Sequence, residues 1–300
     1  MFNRIKRIIL VAILISCVIM LLPTAYGEVD VAKNSEKNSI LSASSVYVDR
    51  GLGVVESLEM VANKGNANAQ FSLGKMYLNG YFTEENNEKA FYWLKKAAEN
   101  GLTGAQLWVG KCYSDGVGTE KDFKKAFSWW EKAAKQNNQP ACGYLAELYY
   151  KGYDGIPKDL KKAFYWAKKA SRHSLNGEAQ FLLGLMYYNG EGTTKNTEEA
   201  RYWMTRSAEL SWNPDAQLFL GTMYSEGKGI AKDYKEAAYF LTGAAQQGKE
   251  EAMIKLAIIF FEGGNGITAD RQITRFLLRL AIRDGSMKAL KLYKKYGFAK

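Results

Sequence analysis

Two serines in this chain stand three residues before a lysine, at Ser72–Lys75 and Ser225–Lys228. A lysine at this spacing can accept the proton of a serine hydroxyl, as in the S-x-x-K motif of penicillin-interacting serine enzymes. Those enzymes also carry S-D-N and K-T-G segments, and this sequence contains neither. We therefore expect no catalytic residue. A hydrolase acting on β-lactam or cell-wall material stays open as the alternative function.

Metal and cofactor chemistry finds no support in the residue types and their spacing. The chain has one histidine, His173, and three cysteines, of which Cys112 and Cys142 lie in the body of the sequence. This set has no metal-ligand spacing, and no phosphate-binding glycine motif joins a strand to a helix. We predict no metal, no cofactor and two free thiols, since stacked helices would leave the two cysteines about 9 Å apart along the axis.

The first 27 residues have the anatomy of a secretory signal peptide. A basic lead, "MFNRIKR", precedes the fifteen-residue apolar run "IILVAILISCVIMLL" and the exit "PTAYG". An uncleaved anchor is the alternative, but a spanning helix needs about 20 apolar residues. We expect cleavage after Gly27, export to the periplasm or medium, no membrane segment in the mature chain, and a flexible linker over residues 28–45.

The remaining chain is built from one repeated unit. The residue that follows the central Leu or Val recurs at intervals of 36 to 38 residues, and an aromatic anchor keeps nearly the same period. The first set is Gly74, Gly110, Ala146, Gly184, Gly221 and Ala257, and the second is Trp93, Trp129, Trp166, Trp203, Phe240 and Phe276. Such a period predicts stacked structural repeats that share one continuous core.

Each unit reads as two short helices, A and B, with apolar residues at helical spacing. The glycine inside helix A predicts that another helix crosses there too closely for a side chain. Asp122, Asp159, Asn196 and Asp233 each stand four residues before the first alanine of helix B, which makes them candidate N-caps. The predicted fold is an all-α, right-handed α-solenoid of antiparallel helix pairs over residues 46–300, with about six full repeats and a capping helix at each end.

The segment "AENGLTGAQLWVGKCYSDGVGTEKDFKKAFSWWEKAA" carries the pattern A-x-x-G-x-x-x-A-x-x-x-L-G-x-x-Y-x-x-G-x-G followed by an N-capped A-x-x-W-x-x-A-A. This pattern resembles the Sel-one-like repeat family, whose repeat is a relative of the tetratricopeptide repeat. The resemblance covers about residues 52–290 and implies a scaffold for proteins or peptides, often exported in bacteria. We expect a monomer with a protein or peptide partner.

One column of helix A breaks the expected pattern of a polar outer face. In this family helix A lines the concave surface, yet the slot before "LG" reads Ser72, Trp108, Tyr144, Leu182, Phe219 and Lys255. Large apolar groups rimmed by polar ones are typical of binding surfaces, although tight packing of neighbouring A helices would bury the same column. The candidate partner-binding residues are Trp108, Tyr144, Leu182 and Phe219, with the column three residues on: Lys75, Lys111, Glu147 and Leu185.

The net charge of +10 falls to +7 without residues 1–27, because Arg4, Lys6 and Arg7 leave and no acidic residue does. The lysines concentrate on the outward side of helix B, where charge is usually solvated. We expect no nucleic-acid partner, because the chain is predicted to be exported. Weak attraction to anionic membrane lipid or cell-wall polymer stays open.

Overall fold

The computed structural model describes residues 53–153, 155–172 and 176–299, so the predicted signal peptide and linker lie outside the described residues. The described chain forms two compact units, the first unit up to Arg172 and the second unit from Asn176. The helices of the first unit are α1 (Val54–Asn63), α2 (Ala67–Asn79), α3 (Asn87–Glu99), α4 (Thr103–Asp115), α5 (Phe123–Lys135), α6 (Gln139–Lys151) and α7 (Leu160–Ser171). Those of the second unit are α8 (Gly177–Asn189), α9 (Thr197–Leu210), α10 (Pro214–Glu226), α11 (Tyr234–Gln246), α12 (Glu250–Glu262), α13 (Arg271–Arg283) and α14 (Met287–Lys295).

Within each unit, every helix packs mainly against the helices before and after it in sequence. Even-numbered helices from α2 to α12 are the A helices and odd-numbered helices from α3 to α13 are the B helices. The fold is therefore all-α and solenoid-like, as predicted. In the described ranges, β pairing is confined to two isolated bridges, Tyr153–Ile156 and Gly264–Ile267. None of the helices described is long and apolar enough to cross a bilayer.

The predicted N-caps of helix B are confirmed. The Asp122 carboxylate accepts a hydrogen bond from the Lys125 amide at 2.9 Å, and the equivalent side chains of Asp159, Asn196 and Asp233 accept from the same part of their helices. Such caps satisfy backbone amides that have no partner inside the helix. Most A helices are capped as well, a feature that the sequence pattern did not bring out; their caps are Asn66, Asn138, Asn176 and Asn213.

The glycine inside helix A permits a close helix crossing, as the sequence predicted. A Cβ atom at Gly110 would lie 2.3 Å from Nε1 of Trp130, and one at Gly221 would lie 2.5 Å from Cγ of Leu241. Both distances are far below van der Waals contact, so at these two crossings a larger residue would force the opposite side chain to move. In the third repeat Ala146 replaces the glycine, and the matching helix B position is the small residue Ala167.

The aromatic anchor of helix B is buried in some repeats and not in others, whereas the column after it is buried throughout. Trp129 is half-buried and Phe276 is 38% exposed, whereas the residue after each anchor is buried in every repeat. That deeper column contains Leu94, Trp130, Ala167, Met204, Leu241 and Leu277. It faces the helix A glycines, and it therefore carries the main contact between the two helices of a repeat.

A buried glutamine joins consecutive repeats through hydrogen bonds. The Gln70 side-chain amide donates to the carbonyl of Ala62 at 3.0 Å, and its oxygen accepts from the Asn100 amide at 2.8 Å. Gln106 and Gln217 make the same two kinds of bond. In the third repeat Cys142 occupies this column, and the ammonium of Lys169 donates instead to Ala134, the carbonyl equivalent to that of Ala62. We call this arrangement the glutamine relay.

Candidate partner-binding surface

The helix A slot is the column Ser72, Trp108 and Tyr144 in the first unit and Leu182, Phe219 and Lys255 in the second. All six side chains are half-buried. They are neither enclosed in the core, as Leu73 and Leu220 are on the same helices, nor freely exposed. In each unit, the slot side chains therefore keep part of their surface open to solvent while neighbouring residues cover the rest.

In the first unit, two lysine ammonium groups lie against the ring of Trp108. Nζ of Lys75 is 3.6 Å from the ring centroid and Nζ of Lys111 is 4.7 Å from it, both within the range of cation–π attraction. Lys75 is only 7% exposed, so it supports Trp108 from below instead of facing a partner, which corrects its assignment as a contact residue. Lys111 is half-buried and can still reach a bound molecule.

Tyr144 is fixed by a ring of the preceding B helix. Its ring lies parallel to that of Trp130, with centroids 4.4 Å apart and an interplanar angle of 10°. Burial, together with the nearby carboxylates of Asp115 and Glu147, raises the pKa of the Tyr144 phenol, so the hydroxyl stays neutral. Glu147 itself is exposed and pairs with Lys151 one turn on. The stacked Tyr144 is thus a rigid aromatic side chain with a polar tip.

In the second unit, the slot belongs to a small aromatic cluster. The ring of Phe219 meets those of Tyr188 and Phe181 edge to face, with centroids 5.1 Å and 6.3 Å apart. Leu185 packs on the same partly buried cluster, and Leu182 is half-buried. The cluster gives this unit a preformed apolar surface, because edge-to-face contacts hold aromatic rings in fixed orientations.

Charged pairs flank the slot in the second unit. Nζ of Lys255 lies 3.0 Å from the Glu226 carboxylate and 3.6 Å from that of Glu251. Hydrogen bonds from Lys228 and then Lys255 lower the pKa of Glu226, so this carboxylate is ionised at neutral pH. The slot residue Lys255 is therefore held between two acids, and the apolar part of the slot ends there.

In the second S-x-x-K pair, the serine and the lysine are each engaged by other groups. The Ser225 hydroxyl donates to the Thr222 carbonyl at 3.0 Å, while Lys228 pairs with Glu226, which raises the pKa of Lys228 and keeps it protonated. A protonated lysine cannot act as a general base. In the first pair, the ammonium of Lys75 lies over the Trp108 ring.

The predictions of no metal site and no disulfide rest on His173, Cys112 and Cys142. The structure describes both cysteines, while His173 lies outside the described residues. Within the described ranges, no three His, Cys, Asp or Glu residues come together as a metal site. Cys112 and Cys142 are buried and unbridged, and burial raises the pKa of Cys112 to about 11. A thiol with so high a pKa is a poor nucleophile at neutral pH.

The chain matches the model of the Sel1 repeat six times, over residues 67–102, 103–138, 139–175, 177–212, 214–249 and 250–286. No curated protein matches it. Among solved structures it is similar to c5321, a protective antigen of uropathogenic Escherichia coli with an SLR fold, at 26% identity and a TM-score of 0.74. That match covers 88% of this chain and 58% of c5321, so this chain spans little more than half of that relative.

A Sel1 repeat protein from Oxalobacter formigenes is 30% identical, with a TM-score of 0.67, and the match covers 83% of this chain and 99% of that one. Sel1 repeat proteins generally act as scaffolds for protein–protein interactions. With six repeats matched in tandem and this relative aligned over almost its whole length, the chain belongs to the Sel1 repeat family.

Proposed function

We propose that this protein is an exported interaction scaffold that binds a protein or peptide partner through the helix A slot. The observation that supports the proposal is the partial burial of the slot side chains. In each unit two large apolar or aromatic residues, Trp108 and Tyr144 or Leu182 and Phe219, are half-buried and held in place by ordered neighbours. Rigid, partly exposed aromatic groups are the usual anchors of protein interfaces.

Export is proposed from the amino-acid sequence of residues 1–27, with its basic lead, apolar run and small-residue exit. The mature protein would then begin at Glu28 and bind its partner in the periplasm or outside the cell. The intact mass of protein recovered from the cell envelope or the medium tests this proposal. Protein that retains residues 1–27 in the cytoplasm would contradict it.

Replacing Trp108 by alanine tests the proposed surface. We expect partner capture to fall strongly, because a central aromatic anchor typically contributes more than about 2 kcal/mol of binding free energy. The melting temperature should remain nearly unchanged, because Trp108 is only half-buried. The measurement pairs thermal unfolding with quantitative mass spectrometry of proteins retained from envelope extract.

The matched control is Trp129→Ala, which removes the same side chain from a half-buried position on helix B. It should leave capture intact, so that a specific loss in Trp108→Ala identifies the slot. If Trp108→Ala unfolds the protein at a much lower temperature, or if both variants lose the same partners, the slot is a packing feature and the proposal fails.

A further inference from the structure

A second surface lies on the B helices of the first unit, away from the helix A slot. Each of these helices carries three residues at spacing i, i+3 and i+7, which places them on one side of the helix. We call this set the lysine–tyrosine face. It consists of Lys89, Tyr92 and Lys96 on α3, Lys125, Ser128 and Lys132 on α5, and Lys162 and Tyr165 on α7; the third position of α7, Lys169, is half-buried and donates to the Ala134 carbonyl instead.

The tyrosine rings of this face are unusually exposed. Tyr92 is 52% exposed and Tyr165 is 58% exposed, and each meets the edge of the following tryptophan with ring centroids 5.0 Å apart. The neighbouring tryptophan therefore holds each ring in place while about half of its surface remains open to solvent. Tyrosine combines an apolar ring with a polar hydroxyl, which suits it to a boundary between water and an apolar phase.

Positive charge surrounds these rings. Helices α3, α5 and α7 together carry eleven lysines and three acidic residues. Nζ of Lys96 lies 5.6 Å from the ring centroid of Tyr92, and Nζ of Lys132 lies 4.1 Å from that of Trp129. Lys135 pairs with Glu131 of its own helix, and Lys125 and Lys162 pair with the N-cap residues Asp122 and Asp159, but these pairs are exposed and weak. With the two N-cap acids included, eleven lysines face five acids, so the surface keeps a net positive charge.

The second unit lacks this positive charge on α9 and α11 but not on α13, which carries four arginines and no acidic residue. Its helices α9 and α11 carry tyrosines in the same column, Tyr202 at 53% and Tyr239 at 62% exposure. The residue three positions earlier is Glu199 or Glu236 instead of lysine. These two helices together carry three basic and four acidic residues, and α13 has Arg275 in the tyrosine column. Among the B helices that the structure describes, exposed tyrosine and concentrated lysine therefore coincide only on α3 and α7.

We propose that the lysine–tyrosine face docks on the surface of an anionic phospholipid bilayer. The lysines attract anionic headgroups, since each basic residue near such a leaflet contributes about fivefold in affinity. The half-exposed tyrosine rings then enter the headgroup region, where amphipathic aromatic rings are favoured. Docking through helix B leaves the helix A slot of the same unit available for a partner, so this inference does not depend on the proposed function.

Vesicle flotation tests the proposal. The protein is used as it is isolated from the producing cell, without further change to its N-terminus. We expect binding to phosphatidylcholine vesicles that contain phosphatidylglycerol, weaker binding at high salt because charges are screened, and little added binding to pure phosphatidylcholine. The variant Lys96→Gln, Lys132→Gln, Lys162→Gln should bind anionic vesicles about tenfold or more weakly. Tyr92→Ser with Tyr165→Ser should also weaken binding, since serine occupies this column naturally at Ser128.

Two matched controls make the result specific. Lys291→Gln, Lys294→Gln, Lys295→Gln removes the same charge from exposed positions of α14, and Tyr202→Ser with Tyr239→Ser removes the equivalent rings of the second unit. Both should stay within about threefold of the parent, because neither touches the proposed surface. Circular dichroism and melting temperature confirm that every variant is folded.

The proposal is overturned if the two lysine variants weaken vesicle binding equally, because net charge alone would then explain it. It is also overturned if the tyrosine pair has no effect and soluble dextran sulfate competes as well as anionic vesicles, because the face would then bind anionic polymer and not a bilayer. The proposal is likewise overturned if the protein does not bind anionic vesicles at low salt.

Discussion

Replacing Trp130 by alanine is expected to lower the free energy of unfolding by about 3–5 kcal/mol. Trp130 is 3% exposed, its Nε1 donates to the Leu107 carbonyl at 3.2 Å, and its ring supports that of Tyr144. The substitution leaves a cavity opposite Gly110, where the glycine has no side chain to fill it. Urea denaturation of the variant and its parent measures the loss.

The adjacent Trp129→Ala variant is the control for Trp130. Trp129 is half-buried and belongs to the column that recurs most regularly in the sequence, so it tests whether recurrence or burial predicts stability. We expect a clearly smaller loss than at Trp130. Equal losses at the two positions would show that the deeper column does not carry the main contact between helices A and B.

The second large effect is expected at the helix crossing of the fifth repeat. In Gly221→Ala the new Cβ would lie 2.5 Å from Cγ of Leu241 and 3.1 Å from its backbone nitrogen, and the backbone cannot move aside cheaply. Overpacking of this kind typically costs about 1–3 kcal/mol, which exceeds the gain of about 1 kcal/mol in helix propensity. We therefore expect net destabilisation, measured by chemical denaturation.

A double-mutant cycle distinguishes steric conflict from a general effect of the substitution. Leu241→Ala alone should cost about 2–5 kcal/mol, while Gly221→Ala combined with Leu241→Ala should cost less than the sum of the two. The third repeat already contains this pair of small residues, as Ala146 and Ala167.

At Gly104, where a Cβ would meet only Phe71 at 3.7 Å, alanine should be tolerated. Strict additivity at Gly221 would contradict the close crossing.

Much of the fold follows from the sequence because its signals are local and repeated. The positions of Asp122 and Asp159 relative to helix B, and of the glycines in helix A, reflect hydrogen bonds and contacts that recur in nearly every repeat. Comparison of the copies therefore reveals both of them. The helix pairs and their order required no further information.

The deepest column of helix B escaped this comparison for a physical reason. Its residues vary from Ala167 to Trp130 because each one must fill the space left by a different neighbour, so the column shows no constant residue type. The regular column is aromatic throughout, but its burial varies from 4% exposure at Phe240 to 38% at Phe276. A recurring residue type showed that a position has a similar environment in each repeat. The degree of burial of that position depends instead on how helices A and B cross.

The slot shows the same limit. Its column could be found from the spacing on helix A, and the polar residues around it were predicted. The burial of Lys75 could not, because it depends on a ring from the next repeat, Trp108, which lies over the lysine side chain. Contacts between repeats depend on side-chain direction, and the pattern within one repeat carries no information about that direction.

The glutamine relay has a consequence for how such chains change length during evolution. Gln70 reaches the carbonyl of Ala62, and Gln106, one period later, reaches the equivalent carbonyl of Ala98. Loss of one whole period would bring Gln106 opposite Ala62, so donor and acceptor would meet again without any new residue. Loss of part of a period would leave a buried amide without a partner, at a cost of about 1–3 kcal/mol. Duplications and deletions of whole repeats are therefore tolerated, whereas those of part of a repeat destabilise the fold. Recombination between repeat copies can thus lengthen or shorten the chain without loss of these hydrogen bonds.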